Sequence, residues 1–209
     1  MKMQRGAIVL CGGQSSRMGR DKATLPFGSE LLLQRIVRIV CQVVDPCFIV
    51  VVASPKQIVP ELPAQVVVAR DTRLGRGPME GIAAGMRAMP SCVDAIYATS
   101  CDVPLLMPEF LSMMFERLGD HDIAVPYDGR FHHPLSAVYR YKVLAVIESL
   151  LASDRLRLNY LFNEVPTSKV PTEELRAVDP DLATLMNLNQ PEDYTCALDK
   201  AFPVEKGLP

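Results

Sequence analysis

The sequence predicts an α/β fold in which a mainly parallel sheet is sandwiched between helices on both faces. Three observations lead to this prediction. Short apolar runs typical of buried strands alternate with segments whose apolar residues follow helical spacing. Several of the loops that follow the strands carry glycine or proline. With 209 residues, of which 49% are hydrophobic and 22% charged, the chain is long enough to cover such a sheet.

The first half of the chain shows the alternation most clearly. Residues 7–11 form an apolar run that predicts a buried strand, and residues 31–43 carry apolar side chains at helical spacing. A proline-bounded stretch over residues 55–63 has no helical pattern. The other elements predicted up to residue 126 are strands at 48–53, 65–69, 94–99 and 123–126, and helices at 79–89 and 108–118.

The second half is expected to complete the sheet and its helical cover. A turn is predicted at 127–130, and strands at 136–139 and 176–178. Helices are predicted at 142–152, 158–164 and 191–201. We expect residues 1–202 to form one α/β domain and residues 203–209 a frayed C-terminal tail.

Composition narrows the classes of partner. The net charge of -2 argues against nucleic acid or an anionic membrane as a partner, and the apolar stretch within MKMQRGAIVLCGG is too brief for a signal peptide. A cytoplasmic location is therefore expected. The six cysteines lack a CxxC pair and the three histidines lack HExxH spacing, so no transition-metal site is expected. Most of the cysteines are expected to be reduced core residues.

The stretch LCGGQSSRMGRDK, residues 10–22, follows the first predicted strand. Gly12 and Gly13 would let the backbone approach a ligand, and Arg17, Arg20 and Lys22 bring positive charge. This combination predicts an anion-binding loop, with a polar surface turn as the alternative. Cations in such a loop suggest that negative charge accumulates during a reaction.

Two common phosphate-binding motifs are excluded by spacing. A P-loop requires G-x-x-x-x-G-K-[ST], whereas Gly13 and Gly19 are separated by five residues and followed by Arg20. A dinucleotide fingerprint requires G-x-G-x-x-G, which Gly12 and Gly13 followed by Gln14 do not supply. A dinucleotide oxidoreductase is therefore disfavoured.

Two further loops follow predicted strands. Residues 71–81 enter a helix through Gly77 and Pro78, and their glycines would allow the backbone to close on a flat ligand such as a base. Taken alone, an ordinary helix-entry loop needs the same residues. Residues 97–104 place Asp102 directly after a buried strand, which suits a Mg²⁺ ligand shared with phosphate oxygens. The alternative is a turn aspartate before Pro104.

Two weaker segments complete the set. His132 and His133 lie in a predicted turn, where paired histidines are more often solvated than catalytic. Residues 186–193 include Asn187 and Asn189 and also fit the start of the last helix, with Asn189 or Gln190 near its cap.

Together these segments resemble the molybdenum cofactor guanylyltransferase family, within the sugar-nucleotide-type nucleotidyltransferases. The family pattern L-x-G-G-x-S-x-R-M-G-x-D-K is matched by Leu10, Gly12, Gly13, Ser15, Arg17, Met18, Gly19, Asp21 and Lys22. Its G-P-L-x-G-I element is matched at residues 77–82, its D-x-P element at 102–104 and its N-x-N-T-P-E-D element at 187–193. Departures are Cys11 where alanine is usual, Met79 for leucine and Gln190 for threonine.

The resemblance implies a Rossmann-like fold of the nucleotidyltransferase, or nucleotide-diphospho-sugar transferase, type. It also implies transfer of GMP from Mg-GTP to the phosphate of molybdopterin, with release of pyrophosphate. The nucleotide-binding residues would be Leu10, Cys11, Gly12, Gly13, Lys22, Asp71, Gly77, Pro78 and Asp102. Catalysis would rest on Arg17, Lys22 and Asp102, with Asp102 binding Mg²⁺. Asn187 and Asn189 would bind the acceptor.

Partners follow from the same resemblance. GTP and molybdopterin would be the substrates, and transient contacts with cofactor biosynthesis proteins or molybdoenzymes are plausible, without nucleic acid or membrane. Two alternatives stay open from the residues: a related nucleotidyltransferase that uses another NTP or another phosphorylated acceptor, and a non-catalytic nucleotide-binding module.

Overall fold

The computed structural model describes residues 3–11, 21–71, 73 and 75–203. The strands in these ranges are β1 (Arg5–Leu10), β2 (Pro26–Phe27), β3 (Glu30–Leu31), β4 (Ile49–Ala53), β5 (Val67–Arg70), β6 (Ala95–Ser100), β7 (Ile123–Tyr127), β8 (Ala137–Arg140) and β9 (Thr167–Pro171). The α-helices are α1 (Leu32–Val40), α2 (Gly77–Ala88), α3 (Pro108–Arg117), α4 (Leu144–Ala152), α5 (Leu158–Glu164), α6 (Thr172–Leu175) and α7 (Pro191–Ala201).

The predicted α/β fold with a mainly parallel sheet is confirmed. Seven strands form one sheet in the order β5-β4-β1-β6-β8-β7-β9. All neighbouring pairs are parallel except those of β8, which runs antiparallel to β6 and β7. The strands β5, β4, β1 and β6 therefore end at the same edge of the sheet, where the loops singled out from the sequence begin.

Helices cover both faces of the sheet, and successive side chains along a strand pack against opposite layers of helices. Along β1 and the residue after it, Ala7, Val9 and Cys11 face the layer of α1 and α3. Ile8 and Leu10 face the layer of α2, α4 and α5. The central strands β1 and β4 are apolar on both sides because both faces are covered. Among the described residues, the helices are all too short or too polar to cross a membrane.

The helix α2 packs closely on β1 through a glycine. A Cβ atom at Gly85 would lie 2.7–2.8 Å from three side-chain atoms of Ile8, which is fully buried. Contacts this short require the neighbouring side chain to move. Gly85 therefore sets the distance between α2 and the strand that leads into the first loop.

We expect Gly85→Ala to destabilise the protein by about 1–2 kcal/mol, because overpacking outweighs the gain in helix propensity. Thermal denaturation of both single variants and of Gly85→Ala in an Ile8→Val background would measure this. The glycine substitution should cost less in that background, because the valine lacks one of the crowded atoms. Equal or higher stability of Gly85→Ala in the wild-type background would contradict the packing described here.

The sequence prediction for residues 176–178 is wrong. These residues form a turn that extends α6, in which the amides of Val178 and Asp179 both donate to the carbonyl of Leu175. The strand in this region is β9, which pairs in parallel with β7 and lies at the edge of the sheet. Val170 is its only buried residue, so β9 lacks the apolar pattern by which a buried strand is detected.

The expectation that most cysteines are core residues is also wrong. Cys11 and Cys101 are buried and Cys41 is half-buried, whereas Cys47, Cys92 and Cys196 are exposed. All six are free thiols. The expected tail falls almost entirely on residues 204–209, which lie outside the described ranges, and the expected single domain over residues 1–202 stays a prediction.

Candidate active site at the carboxyl edge of the sheet

An ion pair joins two of the loops predicted to share a ligand. Lys22 Nζ lies 2.8 Å from Asp102 Oδ2. Asp102 follows β6 by two residues, whereas Lys22 begins a short 3₁₀ turn, Lys22–Thr24, that ends the first loop. Asp21 caps this turn, since its carboxylate accepts a hydrogen bond from the amide of Ala23 at 3.0 Å. Two residues separated by 80 positions are thus in direct contact.

Two neighbours hold Asp102 in place. The Ser100 hydroxyl donates to Asp102 Oδ1 at 2.5 Å, which leaves Oδ2 to Lys22. The backbone carbonyl of Asp102 accepts from the amide of Leu188 at 2.9 Å. The carboxylate therefore has a fixed orientation at the end of the sheet, within the turn that follows β6.

The ion pair is partly buried but still accessible to solvent and to a ligand. The side chains of Lys22 and Asp102 are 18% and 19% exposed. Partly exposed pairs of this kind contribute only about 1 kcal/mol or less to stability. A ligand with several negative charges could therefore replace Asp102 as the partner of Lys22 without a large loss of folding free energy.

Leu10 and Cys11 connect the ion pair to the centre of the sheet. The amide of Cys11 donates to the carbonyl of Val52 at 2.9 Å, and the carbonyl of Leu10 accepts from the amide of Cys101 at 2.9 Å. Both side chains are buried, on opposite faces of the sheet. Gly12, Gly13 and Arg17, which were predicted to bind nucleotide or act in catalysis, lie outside the described residues.

The second loop begins at Asp71, which continues β5. Its amide donates to the carbonyl of Ala53 at 2.9 Å, and its carboxylate accepts from the amide of Arg73 at 2.9 Å. Gly75 and Gly77 both have positive φ angles, 83° and 72°. Among the described residues, and apart from their own chain neighbours, no atom lies within 4 Å of where their Cβ atoms would be. A side chain at either position would strain the backbone.

A buried carboxylate, which the sequence did not reveal, fixes the start of α2. Glu80 is 1% exposed and lies near three guanidinium groups. The closest nitrogens of Arg87, Arg76 and Arg73 are 3.0, 3.6 and 3.7 Å from its oxygens. The guanidinium of Arg76 also donates to the carbonyl of Leu151. The ion pairs of Glu80 with these arginines therefore hold the first turn of α2, which begins with Gly77 and Pro78.

The predicted acceptor residues lie beside Asp102. Leu188 is buried, whereas its chain neighbours Asn187 and Asn189 are both exposed. The Asp193 carboxylate accepts from the amides of Asn189 and Gln190, both at 2.8 Å, and so closes the start of α7. These backbone hydrogen bonds, with a smaller contribution from the charge of Lys22, hold the pKa of Asp193 below its usual value.

The two histidines occupy the loop between β7 and β8, at the same edge of the sheet. His132 packs between the rings of Tyr127 and Phe162, with ring centroids 4.9 and 5.0 Å away. Burial, followed by the nearby charges of Lys169 and His133, lowers the pKa of His132. His132 is therefore a packed aromatic side chain more than a solvated one, whereas His133 lies 3.6 Å from Asp128.

The donor set at Asp102 fits a divalent cation shared with phosphate. Mg²⁺ typically uses one or two carboxylates and completes its shell with water and substrate phosphates. Asp102 supplies one carboxylate, and its Oδ2 already faces a cation, the ammonium group of Lys22. Among the described residues there is no cluster of three His, Cys, Asp or Glu side chains that could hold a metal without substrate.

The buried thiols give a prediction about chemical reactivity. Burial and the charge of Asp21 raise the pKa of Cys11 to about 12, and burial raises the pKa of Cys101 well above its usual value. Because the thiolate is the reactive form, we expect iodoacetamide to modify Cys92 and Cys196 in the native protein and Cys11 and Cys101 only after denaturation. Peptide mass spectrometry would check this. Modification of Cys11 as fast as Cys92 would contradict the burial of Cys11.

Comparison with protein families places most of the chain in one of them. Residues 7–164 match the family described as MobA-like NTP transferase domain. A protein of Mycobacterium avium (strain 104) named "Probable molybdenum cofactor guanylyltransferase" is 36% identical over 83% of this chain and 88% of its own. A protein of the same name from Methanosarcina acetivorans is 33% identical over 90% of this chain and 88% of its own.

Solved structures show the same fold. Molybdopterin-guanine dinucleotide biosynthesis protein A from Archaeoglobus fulgidus aligns with a TM-score of 0.74 at 21% identity, over 95% of this chain and 98% of its own. The 2-C-methyl-D-erythritol 4-phosphate cytidylyltransferase of Thermus thermophilus aligns with a TM-score of 0.72 at 16% identity, over 95% and 99% of the two chains. The resemblance found in the sequence is therefore confirmed, and the chain belongs to the MobA-like NTP transferase family and is a nucleotidyltransferase.

Proposed function

We propose that the protein transfers GMP from Mg-GTP to the phosphate of molybdopterin and releases pyrophosphate. The observation that carries this proposal is the contact of 2.8 Å between Lys22 and Asp102, because it brings the cation of the first loop and the carboxylate after β6 to one point. The names of the relatives support the choice of GTP and molybdopterin as substrates.

The nucleotide would lie across the ends of four strands. Its triphosphate would contact Lys22 and Asp102 next to β6, and its base would lie toward Asp71, Gly77 and Pro78 next to β5. The strand order separates β6 from β5 by three strand spacings, about 14 Å in all. Between them lie Leu10, which ends β1, and Cys11, which follows it, and Gly12 and Gly13 are proposed to contact the nucleotide as well.

The reaction is a displacement at the α-phosphorus. A phosphate oxygen of the acceptor forms a bond to this atom, while the bond to the bridging oxygen of pyrophosphate breaks and its electron pair leaves with pyrophosphate. The acceptor phosphate is already ionised, so no protein general base is needed. Lys22 and Arg17 would offset the negative charge that gathers on the phosphates, and catalysis would rest on positioning and electrostatics.

A divalent cation, proposed to be Mg²⁺, would be held by Asp102 together with the phosphates and would supply further charge neutralisation. Ser100 keeps the carboxylate of Asp102 oriented for this role. The acceptor would approach from the side of Asn187 and Asn189, which flank Leu188 next to Asp102. Contacts with proteins that deliver or receive the cofactor belong to the same proposal.

The proposal is tested by incubating the purified protein with Mg²⁺, a carrier protein loaded with molybdopterin, and one of the four NTPs at a time. We expect pyrophosphate release and formation of a molybdopterin dinucleotide with GTP only. Transfer from CTP would show that GTP is not the specific donor. Transfer from GTP to another phosphorylated acceptor would show that molybdopterin is not the specific acceptor. Binding of GTP without pyrophosphate release in any mixture would contradict the proposed reaction.

A further inference from the structure

Gln57 lies in the segment after β4, and its side-chain amide joins three other groups. Its Oε1 accepts a hydrogen bond from the amide of Ser54 at 3.1 Å. Its Nε2 donates to the carbonyl of Cys11 at 2.7 Å and to Asp21 Oδ1 at 2.8 Å. A primary amide has two donor hydrogens, and both are used here. If the oxygen and nitrogen of the amide were exchanged, an oxygen would face the two acceptors and could donate to neither.

The backbone around Gln57 is fixed as well. The guanidinium of Arg70, at the end of β5, donates to the carbonyls of Ser54 and Gln57 at 2.9 and 2.8 Å. Hydrogen bonds from a residue of the sheet therefore fix the backbone from which the Gln57 side chain extends.

The two acceptors of Gln57 flank the first loop. Cys11 directly follows β1, and Asp21 directly precedes the turn that carries Lys22. The same oxygen of Asp21 that binds Gln57 also accepts from the amide of Ala23 and so caps this turn. A single amide thus ties the end of β1 to the start of the turn from which Lys22 reaches Asp102.

We propose that Gln57 is a positioning residue for nucleotidyl transfer, which acts through Asp21 on the placement of Lys22 and does not touch the substrate. This inference rests on the role proposed above for Lys22. A displacement of about 1 Å in a group that stabilises the transition state can cost about a hundredfold in rate. The effect of losing Gln57 should therefore appear in turnover more than in the binding of the acceptor.

The test compares Gln57→Leu and Gln57→Glu with the wild type, by pyrophosphate release with Mg-GTP and molybdopterin. Gln34→Leu is the matched control. The side chain of Gln34 also makes two backbone hydrogen bonds, to Leu31 and Glu61, but it contacts neither Cys11 nor Asp21. We expect Gln57→Leu to lower kcat about tenfold to a hundredfold and to leave KM for the acceptor within about twofold, whereas Gln34→Leu stays close to the wild type.

The glutamate variant tests the hydrogen bonds themselves. It keeps the length of the side chain, but an ionised carboxylate has no hydrogen to donate to the carboxylate of Asp21 or to the carbonyl of Cys11. We therefore expect Gln57→Glu to lower kcat at least as much as Gln57→Leu.

The outcomes separate the two proposals. A wild-type protein that transfers GMP while Gln57→Leu turns over as fast as Gln34→Leu would overturn the positioning role and leave the proposed function intact. A kcat of Gln57→Glu close to that of the wild type would overturn it equally. A wild-type protein that releases no pyrophosphate would remove both proposals.

Discussion

Replacement of Lys22 by alanine is expected to lower turnover by about a hundredfold to a thousandfold, the loss typical for removal of one preorganised group that stabilises developing charge. The ammonium lies 2.8 Å from Asp102 in a partly shielded site, where its charge is poorly replaced by water. Pyrophosphate release under saturating substrates would measure the loss.

The fold should tolerate this change. A partly exposed ion pair contributes about 1 kcal/mol or less, which corresponds to a fall in Tm of about 2–4 °C in a domain of this size. Lys200→Ala is the control, because Lys200 is an exposed lysine on α7 whose ammonium lies 3.6 Å from the sulfur of Met186. A folded Lys22→Ala protein with turnover close to that of Lys200→Ala would refute the assigned role.

Replacement of Asp102 by asparagine is expected to cost about a thousandfold in turnover and to remove the normal dependence on Mg²⁺. Asparagine keeps the shape of the side chain and can still accept from Ser100, so the change removes charge with little change in packing. Titration of activity with Mg²⁺ would report the effect.

The comparison of the two variants distinguishes their roles. Lys22→Ala should need no more Mg²⁺ than the wild type, because Asp102 loses a competing cation, whereas Asp102→Asn should no longer reach wild-type turnover at any Mg²⁺ concentration. Asp199→Asn, which changes an exposed carboxylate on α7, provides the matched control. An Asp102→Asn protein with an ordinary Mg²⁺ dependence would show that the metal is held elsewhere.

The sequence predicted the fold well where local pattern determines structure. The bounds predicted for α5 and α7 agree with the structure, because helical spacing and the proline at position 191 mark them. β9 was missed because an edge strand with one buried residue has no distinctive periodicity. Residues 176–178 were predicted as a strand, although a turn after α6 satisfies their backbone amides.

The site could be predicted only in part, for a related reason. Lys22 stood out because it belongs to a loop rich in glycine and cations, and Asp102 because it is an acidic residue that follows a buried strand. Gln57 and Glu80 did not, since nothing in their neighbourhood in the chain reveals that one would bind Cys11 and Asp21 and the other would be buried among arginines. Their roles depend on contacts between segments that are distant in sequence, which only the folded chain brings together.

Lys22 and Asp102 are proposed to share one nucleoside triphosphate, and a crystal structure of the protein with Mg²⁺ and a non-hydrolysable GTP analogue would show whether they do. We expect the phosphates to lie between Lys22 Nζ and the metal on Asp102, so that the direct contact of 2.8 Å between the two side chains is broken. A nucleotide bound away from the ends of β1 and β6, with this ion pair intact, would contradict it.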